Sequence, residues 1–186
     1  MTRKLTFPSS SRFRGHWALA PRTVLLNHGS FGACPKPILE LQNRLREQME
    51  AEPVQFLWRR YEERLEPSRV RVARFVGARP KDLVFVTNAT TGVNAVLHSI
   101  ELRSGDELLT TNHDYNACHN VLIEAARRTG AKVVTAEVPF PLKKPEQVLD
   151  AILRCVSRRT RLATIDHVTS STSLVFPIAR IIQELE

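Results

Sequence analysis

From residue 82 to the last residue, short apolar segments alternate with longer segments whose apolar residues recur at helical spacing. The apolar segments predict strands at Leu83–Val86, Glu107–Thr110, Lys132–Val138 and Leu162–Asp166. The intervening segments predict helices at Thr91–Ile100, Asn116–Arg128 and Pro145–Val156, and a last helix that Pro177 opens. Short apolar strands are typical of a parallel sheet that is covered on both faces. The repeated strand–helix unit therefore indicates an α/β, doubly wound domain with a mostly parallel sheet.

The residues before this alternation follow a different pattern. Residues 1–22 are basic and polar and lack the apolar stretch of a signal peptide, so they are read as a flexible leader or as an organellar transit peptide. Residues 23–80 form an N-terminal helical segment: a helix over Ile38–Glu52, an interruption at Pro53, and one or two helices over Val54–Val76. We expect a break near Pro67 and a stop at Gly77.

Residues 81–186 are the α/β part of the chain. Their last stretch, ARIIQELE, has the pattern of a helix but ends with neither a cap nor a breaker. We expect either a helix that frays at its end or a chain that is a piece of a longer protein.

Composition excludes several classes of protein. The three cysteines are widely spaced and form no CxxC motif, which argues against a zinc site or a disulfide framework and favours the reducing cytoplasm. A net charge of +8 raises the possibility of a nucleic-acid partner. The arginines, however, are spread over several helices beside acidic residues, and aromatic residues make up only 6% of the chain. We therefore expect solvated helix faces, no nucleic-acid partner, no metal, and no membrane span.

The stretch VFVTNATTGVNAVLHSI passes from a predicted strand into a predicted helix through small polar residues. A helix N-terminus has free N–H groups and the positive end of the helix dipole, so it favours an anion, above all a phosphate. Threonine hydroxyls at Thr90 and Thr91 can bind the same oxygens. The alternative is that Asn88 or Thr90 only caps the helix.

Three further stretches carry polar residues where a ligand could bind. TTNHDYNA follows the second strand and offers an aromatic ring for stacking; the alternative is a surface loop in which Asp114 caps the next helix. DHVTSSTS follows the last strand and offers a row of hydroxyl groups near the same crevice. NHGSFG has glycines that permit a tight turn with its backbone open to a ligand, although it can equally be a plain loop.

The order and spacing of these stretches resemble the class V aminotransferase family of pyridoxal-phosphate (PLP) enzymes, and most of all its isopenicillin N epimerase-like branch. The resemblance extends from Val24 to the end of the chain and rests on LNHGSFGACP, ARFVGARPKDLVFVTNATTGVNAVL and IDHVTSSTSLVFPI. It implies a fold like that of the fold type I PLP-dependent transferases, of which residues 81–186 would be the first, incomplete part of the large PLP-binding domain.

The resemblance also implies roles for particular residues. Ala89, Thr90 and Thr91 would hold the phosphate of PLP, Tyr115 would lie over the pyridine ring, and Ser170 would reach the phenolic oxygen. Four N-terminal residues would line the mouth through which a substrate enters: Asn27, His28, Gly29 and Ser30. Ser173 departs from the family pattern, which often has glycine there.

By the same resemblance, two essential residues have no counterpart in the chain. The aspartate that pairs with the pyridine nitrogen and the lysine that forms the Schiff base are expected beyond Glu186, so no catalytic residue is assigned. We expect Lys132, Lys143 and Lys144 to lie away from the crevice.

The expected function is that of the N-terminal part of a PLP-dependent enzyme that acts on an amino acid, is homodimeric when complete, and is inactive as these 186 residues alone. Epimerase, aminotransferase and lyase chemistry all stay open. The alternative is a non-catalytic remnant of the same fold that acts as a binding or interaction module.

Overall fold

The computed structural model describes residues 11–29 and 31–186. They divide into two compact units, of which the first ends at Val84 and the second begins at Phe85. Each unit has its own architecture.

The first unit is helical. Helix α1, Lys36–Ala51, begins after Pro35 and has Pro37 in its first turn, where the missing N–H of proline would have no partner within the helix. A π-helical turn at Gln55–Arg59 follows, and helix α2 spans Tyr61–Val76. Gly77 ends α2 in the left-handed region, with φ = 71°, and its N–H closes the last turn, as the sequence predicts.

The predicted break at Pro67 is wrong, because α2 runs through this residue without interruption. A proline inside a helix removes one backbone hydrogen bond and crowds the preceding turn, so the helix continues only where other contacts stabilise its turns. Here Arg69 contacts both Glu62 and Glu66 across those turns.

The second unit contains a three-stranded parallel sheet in the order β2-β1-β3. Its strands are β1, Glu107–Thr111, β2, Lys132–Ala136, and β3, Thr160–Ala163. Four helices accompany them: α3, Ala89–Ser99, α4, Asn116–Thr129, α5, Glu146–Leu153, and α6, Ile178–Leu185. The central strand β1 is buried along its whole length.

The alternation of side chains along β1 produces two hydrophobic cores. Leu108 packs on one face of the sheet against α3 and α4, through residues that include Leu97 and Leu122. Leu109 packs on the other face against α5 and α6, through residues that include Ile152 and Ile181. The sheet is therefore covered by helices on both faces, which confirms the predicted α/β architecture.

The strand predicted at Leu83–Val86 does not form. The segment is extended at Leu83, but Val84 is 75% exposed, and the sheet described here has only the three strands named above. An extended segment becomes a strand only when a neighbour completes its backbone hydrogen bonds. An apolar pattern predicts the extended conformation but not the presence of that neighbour.

Two strands also end earlier than predicted. β3 ends at Ala163, which pairs with Leu109, and not at Asp166. β2 ends at Ala136 and not at Val138, because the N–H of Val138 donates to the side-chain oxygen of Asn112, 2.9 Å away.

Replacing Leu109 with alanine tests the importance of the two-sided core. Leu109 is fully buried, so we expect Leu109→Ala to lower the free energy of unfolding by about 2–5 kcal/mol. The matched control is Leu26→Ala, because Leu26 is 90% exposed and should change stability by no more than about 0.5 kcal/mol. Urea unfolding followed by circular dichroism measures both, and equal losses would contradict the described core.

Candidate functional site

The carboxyl ends of β1 and β3 lie side by side and lead into two polar loops. The N–H of Thr164 donates to the carbonyl of Leu109, 2.8 Å away, and this extends the contact past the end of β3. The hydroxyl of Thr110 lies 3.1 Å from the carbonyl of Thr164 and 2.8 Å from the carboxylate of Asp114. The stretches TTNHDYNA and DHVTSSTS therefore meet at one edge of the sheet, where ligands bind in open α/β folds.

Helix α3 begins with a capped turn. The side-chain oxygen of Asn88 accepts a hydrogen bond from the N–H of Thr91, 2.8 Å away, and another from its hydroxyl, 3.0 Å away. Asn88 is thus the helix cap, one of the two alternatives that the sequence leaves open.

This cap uses only one of the free N–H groups in the first turn. Within residues 11–29 and 31–186, the N–H groups of Ala89 and Thr90 have no hydrogen-bond acceptor. Capping and anion binding are therefore compatible here, since two N–H groups and the hydroxyl of Thr90 are available to an anion.

Helices α3 and α4 run in the same direction. Both helices lead towards the amino edge of the sheet: the segment after α3 enters β1, and the N–H of Gly105 in that segment donates to the carbonyl of Gly130, directly after α4, 3.0 Å away. The N-termini of the two helices therefore lie at the same end. Because α4 follows β1, that end is the carboxyl edge of the sheet, so the structure brings Ala89–Thr91 and Tyr115 to one edge.

Tyr115 is the cap residue of α4, and its side chain makes no capping hydrogen bond. Its carbonyl accepts from the N–H groups of Cys118 and His119, at 2.8 and 3.0 Å. The ring is half exposed, so one face is open to a planar ligand.

Asp114 does not cap α4, which corrects the alternative reading of this loop. Its side chain is only 3% exposed, and one oxygen accepts from the hydroxyl of Thr110. The other oxygen, Oδ1, is buried and has no hydrogen-bond partner in the part of the chain that the structure describes. Burying a carboxylate oxygen without a hydrogen bond costs free energy, so Oδ1 of Asp114 destabilises the folded state.

Two neighbours of Asp114 have raised pKa values, chiefly because they are themselves buried. Burial raises the pKa of Asp166, the charge of Asp114 raises it further, and a hydrogen bond from the backbone of Tyr115 opposes the change. Burial and then the charges of Asp114 and Asp166 raise the pKa of the Cys118 thiol. His119 Nδ1 lies 3.6 Å from Asp114 Oδ2. Sequence reasoning missed this cluster; its one local signal is an aspartate directly after an apolar run at Leu162–Ile165.

His113, another residue that sequence reasoning did not assign, is buried and joins three segments. Its Nε2 lies 3.0 Å from the carbonyl of Val138, which can only accept, so this nitrogen carries the hydrogen. Its Nδ1 lies 2.8 Å from the hydroxyl of Thr172, which lies 2.8 Å from that of Thr169. His113 therefore fixes the loop after β3 against the end of β1.

The hydroxyl groups of DHVTSSTS divide between two roles. Thr169 is buried and holds the loop from inside, and its hydroxyl accepts from the N–H of Leu174, 2.9 Å away. Ser170 is exposed on the outside of the loop. Ser173 has φ = 54°, in the left-handed region that favours glycine.

The N-terminal candidates belong to the first unit. The side-chain oxygen of Asn27 accepts from the N–H of Gly29, 2.8 Å away, and closes a tight turn. The ring of His28 lies 6.0 Å from that of Trp17. A Cβ on Gly32 would lie 2.5 Å from the carbonyl oxygen of His28, so this close approach requires glycine. Ser30 lies outside the described residues.

The topology distributes three lysines over the two edges of the sheet. Lys132 begins β2 and lies at the amino edge, away from the candidate site, as expected. Lys143 and Lys144 instead belong to the loop that leaves the carboxyl end of β2, so they share an edge of the sheet with Tyr115. Both are exposed, and their backbone N–H groups donate to the side chain of Gln147.

No group of three or more His, Cys, Asp or Glu side chains among the described residues is arranged to hold a metal ion. No helix there combines the length and the apolar character needed to cross a bilayer.

The sequence matches the family description "Aminotransferase class-V" over residues 35–186. It is 37% identical to an isopenicillin N epimerase of Amycolatopsis lactamdurans over 170 residues, which cover 90% of this chain and 42% of that protein. It is 33% identical to an isopenicillin N epimerase of Streptomyces clavuligerus, covering 92% of this chain and 43% of that protein. The chain thus spans about two fifths of these relatives.

Among solved structures, a cystine C–S lyase in complex with its product cysteine persulfide matches with a TM-score of 0.72 at 22% identity. The match covers 82% of this chain and 40% of that one. At this identity the likeness establishes the fold alone.

Replacing Asp166 with asparagine tests the electrostatics of the carboxyl edge. Because the pKa of Asp166 is raised in the folded state, its charged form destabilises the fold once the pH exceeds the unfolded value of about 3.9. We therefore expect Asp166→Asn to raise the melting temperature at pH 7 to 8 and the gain to shrink as the pH falls towards 4. Asparagine can still accept the hydrogen bond from Tyr115. Thermal unfolding across this pH range is the measurement.

The control is Asp150→Asn, since Asp150 is exposed on α5. If Asp166→Asn lowers the melting temperature at neutral pH, the charged carboxylate stabilises the edge and the assignment is wrong.

Proposed function

Because this chain belongs to the class V aminotransferase family, we propose that it forms the N-terminal part of a PLP-dependent enzyme that acts on an amino acid. The observation that carries the proposal is the shared edge of the sheet, where the free N–H groups of Ala89 and Thr90 lie at the same end as the half-exposed ring of Tyr115. PLP carries both a phosphate, which the N–H groups would bind, and a flat ring, which would stack on Tyr115.

The first turn of α3 fits a phosphate. It offers two N–H groups, a threonine hydroxyl and the positive end of an eleven-residue helix. Ala89 has no side chain beyond its Cβ, so an oxygen can approach the backbone closely. Asn88 holds Thr91 and keeps this turn in place. Thr90 and the two N–H groups would therefore bind the phosphate, and Thr91 would support them.

The remaining candidates have roles consistent with their positions. Tyr115 would lie against one face of the pyridine ring and exclude water from it. Ser170, exposed on a loop that His113 and Thr172 fix, would reach the ring's phenolic oxygen. When bound, PLP withdraws electrons from the Cα atom of an amino acid, and this chemistry serves epimerases, aminotransferases and lyases alike.

In the first unit, the turn at Asn27–Gly29 and the neighbouring Ser30 would line the substrate entrance. A further part of the proposal is that the covalent link to PLP comes from a lysine outside these 186 residues. Lys132 lies at the amino edge, and Lys143 and Lys144 are exposed loop residues, whereas a Schiff-base lysine has to be held against the cofactor. The chain alone would then bind PLP without turnover.

The assembly and location of the complete protein are also part of the proposal. Phe75 and Trp58 in the first unit are almost fully exposed, and surfaces of this kind commonly become buried when a homodimer forms. The three cysteines are free thiols, as suits the cytoplasm. Light scattering after size-exclusion chromatography of the complete protein measures the first point, and a monomer would contradict it.

Thr90→Ala tests the phosphate site in the complete enzyme. Removing a donor to a charged oxygen should weaken PLP binding by on the order of 1.5–3 kcal/mol. Tyr115→Ala should weaken it by about 0.5–1.5 kcal/mol beyond the loss of buried area, because stacking is lost. Titration of PLP followed by absorbance measures both affinities.

Tyr61→Ala is the matched control, because Tyr61 is as exposed as Tyr115 but belongs to the first unit. If neither Thr90→Ala nor Tyr115→Ala changes the affinity for PLP more than this control does, the cofactor binds elsewhere.

Reductive labelling tests the origin of the covalent lysine. We expect the purified 186-residue chain, mixed with PLP and reduced with borohydride, to give only scattered labelling of exposed lysines and no amino-acid-dependent spectral change. Mass spectrometry maps the labelled sites. Stoichiometric labelling of one residue, for instance Lys143, would show that the chain carries its own catalytic lysine. A complete protein that binds no PLP would favour the binding-module alternative.

A further inference from the structure

Four arginines line one cavity at the amino edge of the sheet, opposite the candidate cofactor site. The cavity has a volume of about 370 Å³ and is formed by Arg103, Arg158, Arg159 and Arg161, with Glu101 and Asp106 beside them. We propose that this cavity is a binding site for a small anion that carries more than one phosphate group, separate from the PLP site.

The walls of the cavity are held by backbone hydrogen bonds between the starts of the strands. The N–H of Glu107 donates to the carbonyl of Arg159, and the N–H of Lys132 donates to the carbonyl of Asp106, both at 2.8 Å. The first bond joins the start of β1 to the turn before β3, and the second joins the start of β2 to the residue before β1. The arginines therefore extend from a fixed edge.

One of the four guanidinium groups is oriented in advance. Arg159 Nη2 and Nε lie 2.9 and 3.0 Å from Glu107 Oε1, and the Glu107 side chain is only 8% exposed. The hydroxyl of Ser157 and the charge of Arg159 lower the pKa of Glu107, which keeps this carboxylate ionised. The carboxylate of Glu107 thus offsets the charge of Arg159 and fixes the position of its guanidinium group. Arg159 therefore contributes oriented N–H donors more than net charge.

The other three arginines are not paired with a carboxylate. Asp106 Oδ2 accepts from the backbone N–H of Arg103, 2.8 Å away. Among the described residues, no carboxylate lies within ion-pair distance of the guanidinium groups of Arg103, Arg158 and Arg161. Residues 85–186 contain as many acidic as basic side chains, so this concentration of arginine is local and does not reflect a basic unit.

The lining determines the kind of ligand. Guanidinium groups bind phosphate through paired N–H donors, and several together suit a multiply charged anion. Glu101 and Asp106 repel any anion, so a singly charged one gains little, whereas a diphosphate can contact Arg158 and Arg161 together. Among the described residues that line the cavity none is aromatic, so they offer no stacking surface for a nucleobase. The four arginines surround a single cavity and form no stripe along which a nucleic acid could lie.

Isothermal titration of the full chain with inorganic pyrophosphate, and separately with inorganic phosphate, tests the proposal at low ionic strength. We expect one saturable site for pyrophosphate and affinity for phosphate at least about tenfold weaker. Arg158→Ala and Arg161→Ala should each weaken pyrophosphate binding by about tenfold or more. Arg158→Lys, which keeps the charge but loses the paired donors, should cause an intermediate loss.

Arg180→Ala is the matched control. It removes the same charge from the same unit, and Arg180 lies on α6 and pairs with Glu146 of α5, outside the cavity. An equal loss in all the arginine variants, or no saturable binding, would overturn the proposal. So would tighter binding of a single-stranded oligonucleotide with a steep salt dependence, which would indicate a nucleic-acid surface. A rise in the melting temperature of the unmodified chain with pyrophosphate supports the site even if a variant fails to fold, and its absence counts against it.

Discussion

The structure of the second unit depends on the burial of β1. This strand is paired on both edges and covered on both faces. Its backbone is therefore fixed by hydrogen bonds, and its side chains are fixed by packing. Leu108 and Leu109 fix the helices above and below the sheet, and the strand's two ends then fix everything that projects from its edges. Thr110 and Thr111 position the candidate cofactor site, and Glu107 positions Arg159 at the opposite edge. One strand thus places two chemically different surfaces.

The carboxyl edge combines polar groups that are satisfied with others that are not. His113 and the threonine hydroxyls of the loop after β3 form a closed set of hydrogen bonds, so they hold the edge rigid. The N–H groups at the start of α3 and the buried oxygen of Asp114 remain without partners among the described residues. Rigid surroundings around the free N–H groups of α3 are what a preorganised anion site requires, because an anion then meets donors that need no rearrangement.

Sequence patterns predicted the parts of this fold that depend on local periodicity. The strands at the centre and the helices beside them follow from apolar spacing. The end of α2 at Gly77 follows from the preference of glycine for the left-handed conformation at a helix end. Leu83–Val86 was predicted wrongly because pairing depends on a neighbour and not on the segment itself. Ala89 and Thr90 could be placed at a helix start, but the surroundings of Asp114 and Asp166 could not be foreseen, since residues far apart in sequence create them. The arginine cavity could not be foreseen for the same reason, because the segments that line it, before β1 and around the start of β3, are far apart in sequence.

The strand order has a consequence for how the second unit assembles. β1 and β2 begin 25 residues apart, since Glu107 pairs with Lys132, whereas Glu107 and Thr160 are 53 apart. Closing the longer loop costs about 0.7 kcal/mol more in chain entropy. The β1–α4–β2 segment also leaves the ribosome first, and β3 adds to an edge that already exists. The loop that carries Ser170 is therefore synthesised after α4 and Tyr115, so the two sides of the proposed cofactor site leave the ribosome at different times.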